Sequence, residues 1–213
     1  MMNNYLFILN NRYFDVLHSI GHSMGHAVAV CGMPGSGKGE FANIIAANGV
    51  PVRSMGDMIR AEVKSRGVEG GPTIYGEVAA DLRAKYGEDV LAVRLADEVT
   101  ELLKTHPIVL IEGMRGTAEY DIFSSRWNPN FSSIAITANQ EVRFRRTQER
   151  GRSEDGDRKQ FEIREAREAG WGLYTLIENA DFSLNNESSL EDLVRVANRW
   201  LEEFKKILLE RQN

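Results

Sequence analysis

One nine-residue stretch constrains this chain more than any other. Residues 32–40 read Gly-Met-Pro-Gly-Ser-Gly-Lys-Gly-Glu, and they follow directly on an apolar run, Ala27-Val28-Ala29-Val30-Cys31. The order predicts a buried strand, a tight loop and a helix. Glycines at 32, 35 and 37 let the backbone curl so that successive N–H groups point inward. The helix beginning near Lys38 offers its positive end to the same spot. Lys38 adds a mobile point charge suited to β- and γ-phosphates. Gly32, Met33, Pro34, Gly35, Ser36, Gly37, Lys38 and Gly39 are therefore expected to cradle the polyphosphate of a nucleotide, ATP.

The loop departs from the general pattern at one place. A Ser or Thr normally follows the Lys and puts a hydroxyl on Mg²⁺. Here Gly39 and then Glu40 follow. Mg²⁺ is thus expected to be held through waters and an acidic residue elsewhere.

The 213 residues suit one domain of moderate size. A 42% hydrophobic and 27% charged composition is that of ordinary globular protein. The net charge of −5 gives no basic field for nucleic acid. The single cysteine, Cys31, excludes an internal disulfide and fits a reducing cytoplasm. No apolar run approaches a membrane span. Residues 1–23 lack the basic start and cleavage site of a signal peptide, and read as an extension or upstream start. The folded unit, one domain, is expected over 24–213. His18, His22 and His26 are four apart, but Gly21 and Gly25 interrupt any helix there and no Cys or acid joins them, which argues against a metal site.

Beyond the loop, strand and helix signals alternate, as in a parallel α/β sheet. Strands are expected near 27–31, 50–54, 107–111, 132–137 and 182–184. Helices are expected over 38–48, 57–66, 73–86, 90–103, 140–150, from the polar turn at 152–157 to about 168, and over 190–209. Trp127, Trp171 and Trp200 have no basic or periodic context and read as core or interface packing.

Three further segments carry chemistry. Ser54-Met55-Gly56-Asp57-Met58-Ile59-Arg60 follows the second strand, and an Asp at a helix start with an Arg one turn on can bind a small anion. Glu112 ends the apolar strand Pro107–Ile111, where a carboxylate would hold hydrated Mg²⁺, and Arg115 lies three residues on. Arg143, Arg145, Arg146, Arg150 and Arg152 lie within ten residues, with Arg164 and Arg167 after them. Some of these pair with Glu149, Glu154, Asp155 and Glu162; others suit a transferring phosphoryl group.

With these residues in hand, the chain resembles the adenylate kinase branch of P-loop kinases. The loop is close to that branch's own, and Ser54–Arg60 is close to its acceptor-nucleotide segment. The resemblance covers about 27–200. It is closer still to short adenylate-kinase-related P-loop proteins of archaea, which share Gly-Met-Pro-Gly, Gly-Asp-x-x-Arg and Arg-Gly-Arg-Ser, here at 150–153. Dephospho-coenzyme A kinases are similar at the fold level. The resemblance implies a P-loop NTPase fold of nucleoside monophosphate kinase type, a five-stranded parallel sheet with helices on both faces. It implies that ATP with Mg²⁺ donates a γ-phosphoryl group to a nucleoside monophosphate or similar small acceptor. It places Asp57, Arg60 and Arg115 on the acceptor, Arg146 against the donor base, and Arg150, Arg152 and Arg164 with Lys38 and Glu112 in catalysis, Glu112 as the metal residue. In place of the long inserted lid, only a short turn near 150–160 is expected. Some adenylate-kinase-like proteins act in ribosome maturation, so an ATPase responding to an RNA or protein partner is the alternative.

Overall fold

The computed structural model describes residues 24–211. Within them, β1 (His26–Cys31), β2 (Val52–Ser54), β3 (Ile108–Glu112), β4 (Phe131–Thr137) and β5 (Phe182–Asn185) form one sheet, ordered β2-β3-β1-β4-β5. All four pairings are parallel. This is the α/β P-loop architecture expected from the sequence. Parallel strands buried on both faces read as continuous apolar runs, as β1 does.

Alternate residues feed two core layers. Ala27, Ala29, Val109 and Ile111 face one layer, built with α2 (Met55–Ser65), α3 (Ile74–Tyr86), α4 (Val90–Leu103), α5 (Thr117–Trp127) and α8 (Leu173–Glu178). Val28, Val30, Ile108 and Leu110 face the other, built with α1 (Lys38–Ala47) and α9 (Leu190–Glu210). Here Trp200 stacks on Phe204 at 5.2 Å and meets Phe41 edge-on. The remaining helices, α6 (Gln140–Arg150) and α7 (Arg158–Gly170), pack on each other through Phe144 and Phe161, 5.4 Å between centroids.

The boundaries differ from expectation in instructive places. α2 begins at Met55, not Asp57, because the Ser54 hydroxyl accepts from the Asp57 N–H at 3.3 Å and caps the helix. α5 and α8 carry little sequence signal. The buried positions of α5 are Glu119, Phe123 and Trp127, a stripe headed by an acid. α8 is six residues, too short for a periodic pattern.

His26 is a core residue. Its Nε2 lies 2.7 Å from Ser132 Oγ and its ring meets Phe204 edge-on. Burial drops its pKa to about 3, with Arg211 acting in the same direction. His18 and His22 lie outside the described residues. Among those described, no group of three or more His, Cys, Asp or Glu could hold a metal by itself. No described helix is long and apolar enough to cross a membrane.

Candidate functional site

In a parallel sheet the carboxyl ends of all strands meet along one edge, and loops leaving them line a common crevice. The loop after β1 sits at the middle of that edge. Gly35 has φ 78° and Gly37 φ 94°, values that L side chains rarely adopt. A Cβ at Gly35 would lie 2.3 Å from Arg143 O, and one at Gly37 2.1 Å from Asn186 Nδ2. The loop is strapped from outside by these same neighbours. Arg143 Nη1 donates to Pro34 O at 3.1 Å, and Asn186 Nδ2 to Ser36 O at 2.9 Å. Arg143 also pairs with buried Glu165. Arg143 is therefore a buttress of the loop rather than a free cation.

Inside the loop the polar groups are unsatisfied. Ser36 is fully buried and its Oγ has no hydrogen-bond partner. Lys38 is buried, and its Nζ reaches only Met33 O, at 3.4 Å. Buried groups left in this state fit an anion. Burial lowers the Lys38 pKa to about 8; Glu168 and Glu112 oppose that fall, and Arg115 and Arg164 add to it.

Glu112 ends β3, beside Val30 on one flank and Ser54 on the other. The Ser54 hydroxyl donates to Glu112 Oε2 at 2.8 Å while also capping α2. A single half-buried carboxylate near Lys38 fits Mg²⁺ shared with nucleotide phosphates and water rather than an all-protein cage. Gly39 leaves open space, with nothing within 4 Å of an added Cβ.

On the β2–β3 side a cleft opens, enclosing about 560 Å³ including solvent at its mouth. Five arginines line it: Arg60, Arg83, Arg115, Arg164 and Arg167. The carboxylate that organises two of them is Glu168, which no sequence motif marks. It is wholly buried, and its Oε1 lies 3.1 Å from Arg115 Nη1 and 3.0 Å from Arg164 Nε. Burial alone would raise the Glu168 pKa, but Arg115, Arg164 and Lys38 together hold it at about 2. Arg115 and Arg164 are thus joined through one acid, and the charge of Lys38 favours its ionised form.

The other expected residues are placed as follows. Arg60 lines the cleft and contacts Asp57 at 2.7 Å and Glu154 at 3.4 Å. Asp57 is itself exposed and acts through Arg60. Arg146 lies by the β5 end, donating to Asn186 O at 2.7 Å and Ser188 O at 3.2 Å. Arg150 makes a two-pronged contact with Asp155 at 2.5 and 2.6 Å. Asp155 also accepts from the Arg152 N–H at 3.3 Å and lies 3.5 Å from Arg164 Nη1, so it ties the turn at 151–157 to α7. The Arg152 side chain is half exposed, 3.9 Å from Glu154. The structure therefore brings Arg60, Arg115 and Arg164 to the cleft and leaves Arg146, Arg150 and Arg152 outside its lining.

Arg83, Glu168 and Trp171 are the residues sequence reasoning missed, while Arg167 was named only within the arginine cluster. Trp127 and Trp200 are core, as expected, but Trp171 forms cleft wall, with the Arg83 guanidinium 4.1 Å above its ring. Arg83 is buried against Glu119 at 2.6 Å. Trp171 follows directly on the Arg164–Arg167–Glu168 turns of α7, and that proximity was its only signal.

With this geometry in place, comparison with known proteins is informative. A family model described as an AAA domain matches residues 31–164. The UPF0200 protein of Methanosarcina barkeri is 38% identical over 179 residues, covering 82% of this chain and 95% of that protein. The chain belongs to the UPF0200 family. The family member of Methanoregula boonei is 42% identical over 168 residues, 78% of this chain and 91% of that one. The UPF0200/UPF0201 protein of Archaeoglobus fulgidus is 39% identical over 86% of this chain, which spans only 55% of that protein's length. Among solved structures, the UPF0200 chain overlays a gluconokinase from Sinorhizobium meliloti (TM-score 0.56, 16% identity, 91% of this chain and 100% of that one). It also overlays a shikimate kinase from Acinetobacter baumannii in complex with shikimate (TM-score 0.53, 14% identity, 86% and 95%). These two likenesses establish the P-loop kinase fold; the family name states no reaction.

Proposed function

We propose that this protein transfers the γ-phosphoryl group of ATP to a small phosphorylated acceptor, a nucleoside monophosphate or a similar compound. The observation that carries this reading is the buried carboxylate of Glu168. It pairs with Arg115 and Arg164, two arginines of an arginine-lined cleft, and the charge of Lys38 adds to the field that keeps it ionised, which favours a donor phosphate and an acceptor anion meeting at one place.

The chain's own residues suit each part of the reaction. The loop amides and Lys38 hold the donor phosphates. Arg60 and Arg115 draw the acceptor phosphate in. An acceptor oxygen attacks the γ-phosphorus, the bond to the β–γ bridging oxygen breaks, and ADP leaves with the electron pair. An acceptor phosphate is already ionised, so no general base is needed. Arg164, fixed by Glu168 and Asp155, faces the charge that spreads over the transferring group. Mg²⁺, held by Glu112 and water, would neutralise charge across the β- and γ-phosphates. Arg146 lies where a donor base could rest, and Arg150 and Arg152 border the short turn that stands in place of a lid.

Arg60 gives the cleanest test, because it is partly exposed and its loss leaves the core intact. Arg60→Ala should raise the acceptor KM roughly tenfold or more while MgATP affinity stays within about twofold. Unchanged acceptor turnover would remove the acceptor assignment.

A further inference from the structure

We propose that Arg167 is the anion receptor that selects the acceptor, and that the acceptor is a phosphate ester with an apolar, hydroxyl-poor body. The proposal rests on the phosphotransferase reading above and narrows its acceptor, within that range of small phosphorylated compounds, to one poorer in hydroxyls than a ribose phosphate. Four of the five cleft arginines have a carboxylate of this chain in contact: Arg60 has Asp57 and Glu154, Arg83 has Glu119, Arg115 has Glu168, and Arg164 has Glu168 and Asp155. Arg167 has no ion pair or hydrogen bond among the described residues, and its Nε is buried without a partner. A half-buried guanidinium with no carboxylate in contact can take an acid from a ligand, and it lines the cleft where that acid would lie.

Local packing is shaped around this side chain. Gly76 sits inside α3, and a Cβ there would lie 2.0 Å from Arg167 Cζ. Glycine in a helix interior is disfavoured, so its presence here matches the need to admit the guanidinium.

The rest of the lining says what the anion is attached to. Met55, Ile59, Pro72, Ala79 and Leu91 are apolar, and Trp171 adds an aromatic wall. No Ser, Thr, Asn or Gln side chain lines the cleft, and the Tyr75 hydroxyl is engaged with Ser153 Oγ at 3.0 Å. Glu154 also lines the cleft but is paired with Arg60, and the other lining arginines except Arg167 hold carboxylates, so a hydroxyl-rich body would bury donors and acceptors with few free partners, which costs binding free energy. An apolar or aromatic body loses nothing there.

Calorimetric titration of the full chain with inorganic phosphate, ribose 5-phosphate and phenyl phosphate tests this. Phenyl phosphate should bind roughly tenfold more tightly than either of the others. Arg167→Gln should weaken phenyl phosphate roughly tenfold or more, with MgATP affinity within about twofold. Gly76→Ala, which favours the helix and displaces the guanidinium without removing it, should weaken it in the same direction. Ribose 5-phosphate binding as well as phenyl phosphate would overturn the apolar body. Phenyl phosphate affinity unchanged in both folded variants would overturn the role of Arg167. Binding as expected with no phosphoryl transfer from ATP would sustain the receptor and reject the transferase reading.

Discussion

Glu168 lies 3.1 Å from Arg115 with its carboxylate wholly buried, and Arg115 lines the arginine-rich cleft. A buried acid among cations is stabilising only while charged. Its folded pKa of about 2 lies below the ordinary 4.5, so its contribution is full above about pH 4.5 and is lost as pH falls toward 2. Glu168→Gln leaves Arg115 without its acid and Arg164 with Asp155 alone. It should cost roughly 3 kcal/mol of stability at neutral pH and flatten the unfolding profile between those two pH values. Urea unfolding across pH measures both.

Lys38 is instead destabilising while charged, because burial penalises its ammonium. Its folded pKa of about 8 lies below 10.5, so the unfolded chain holds more protons between those values and stability rises with pH there. Lys38→Met should abolish that rise. It should leave the melting temperature no lower than that of the wild type at pH 7, with up to roughly 3 kcal/mol gained, offset by the partner Glu168 loses. Nucleotide binding should weaken roughly tenfold or more. Wild-type MgATP affinity should fall above pH 8, by at most about tenfold per pH unit.

Gly39 stands where a loop hydroxyl is usual, in open space. Gly39→Ser should fold, with stability up by roughly half a kcal/mol from helix propensity. It should lower the Mg²⁺ concentration needed for half-maximal turnover. A magnesium titration of ADP release reads this directly.

Glu112→Gln keeps a side chain able to meet the Ser54 hydroxyl and removes the charge. Turnover should fall roughly a hundredfold with stability within about 1 kcal/mol. Steady-state kinetics at saturating Mg²⁺ would contradict the metal role of Glu112 if kcat were unchanged.

Much of the fold was legible because parallel strands buried on both faces are continuous apolar runs. The loop was legible because its chemistry is local: one turn of backbone and one lysine. The cleft was legible only in part: Arg60, Arg115 and Arg164 stood out through motif and resemblance, but the site is assembled from α2, α3, the segment after β3 and α7, and nothing in sequence joins Arg83, Glu168 and Trp171 to them. Arg83 and Arg167 are indistinguishable in sequence from surface arginines beside acids. Glu168 looks like any glutamate at a helix end, and only packing reveals that it is buried. Trp171 was read as packing because a stacking surface is recognised by what lies across from it, here Arg83.

The most direct test is ADP production from MgATP with and without each nucleoside monophosphate and phenyl phosphate, with detection of any phosphorylated product. A large rise with one acceptor, together with its phosphorylated form, is the predicted result. Slow turnover indifferent to every acceptor would contradict phosphoryl transfer and point to an ATPase that answers to a macromolecular partner.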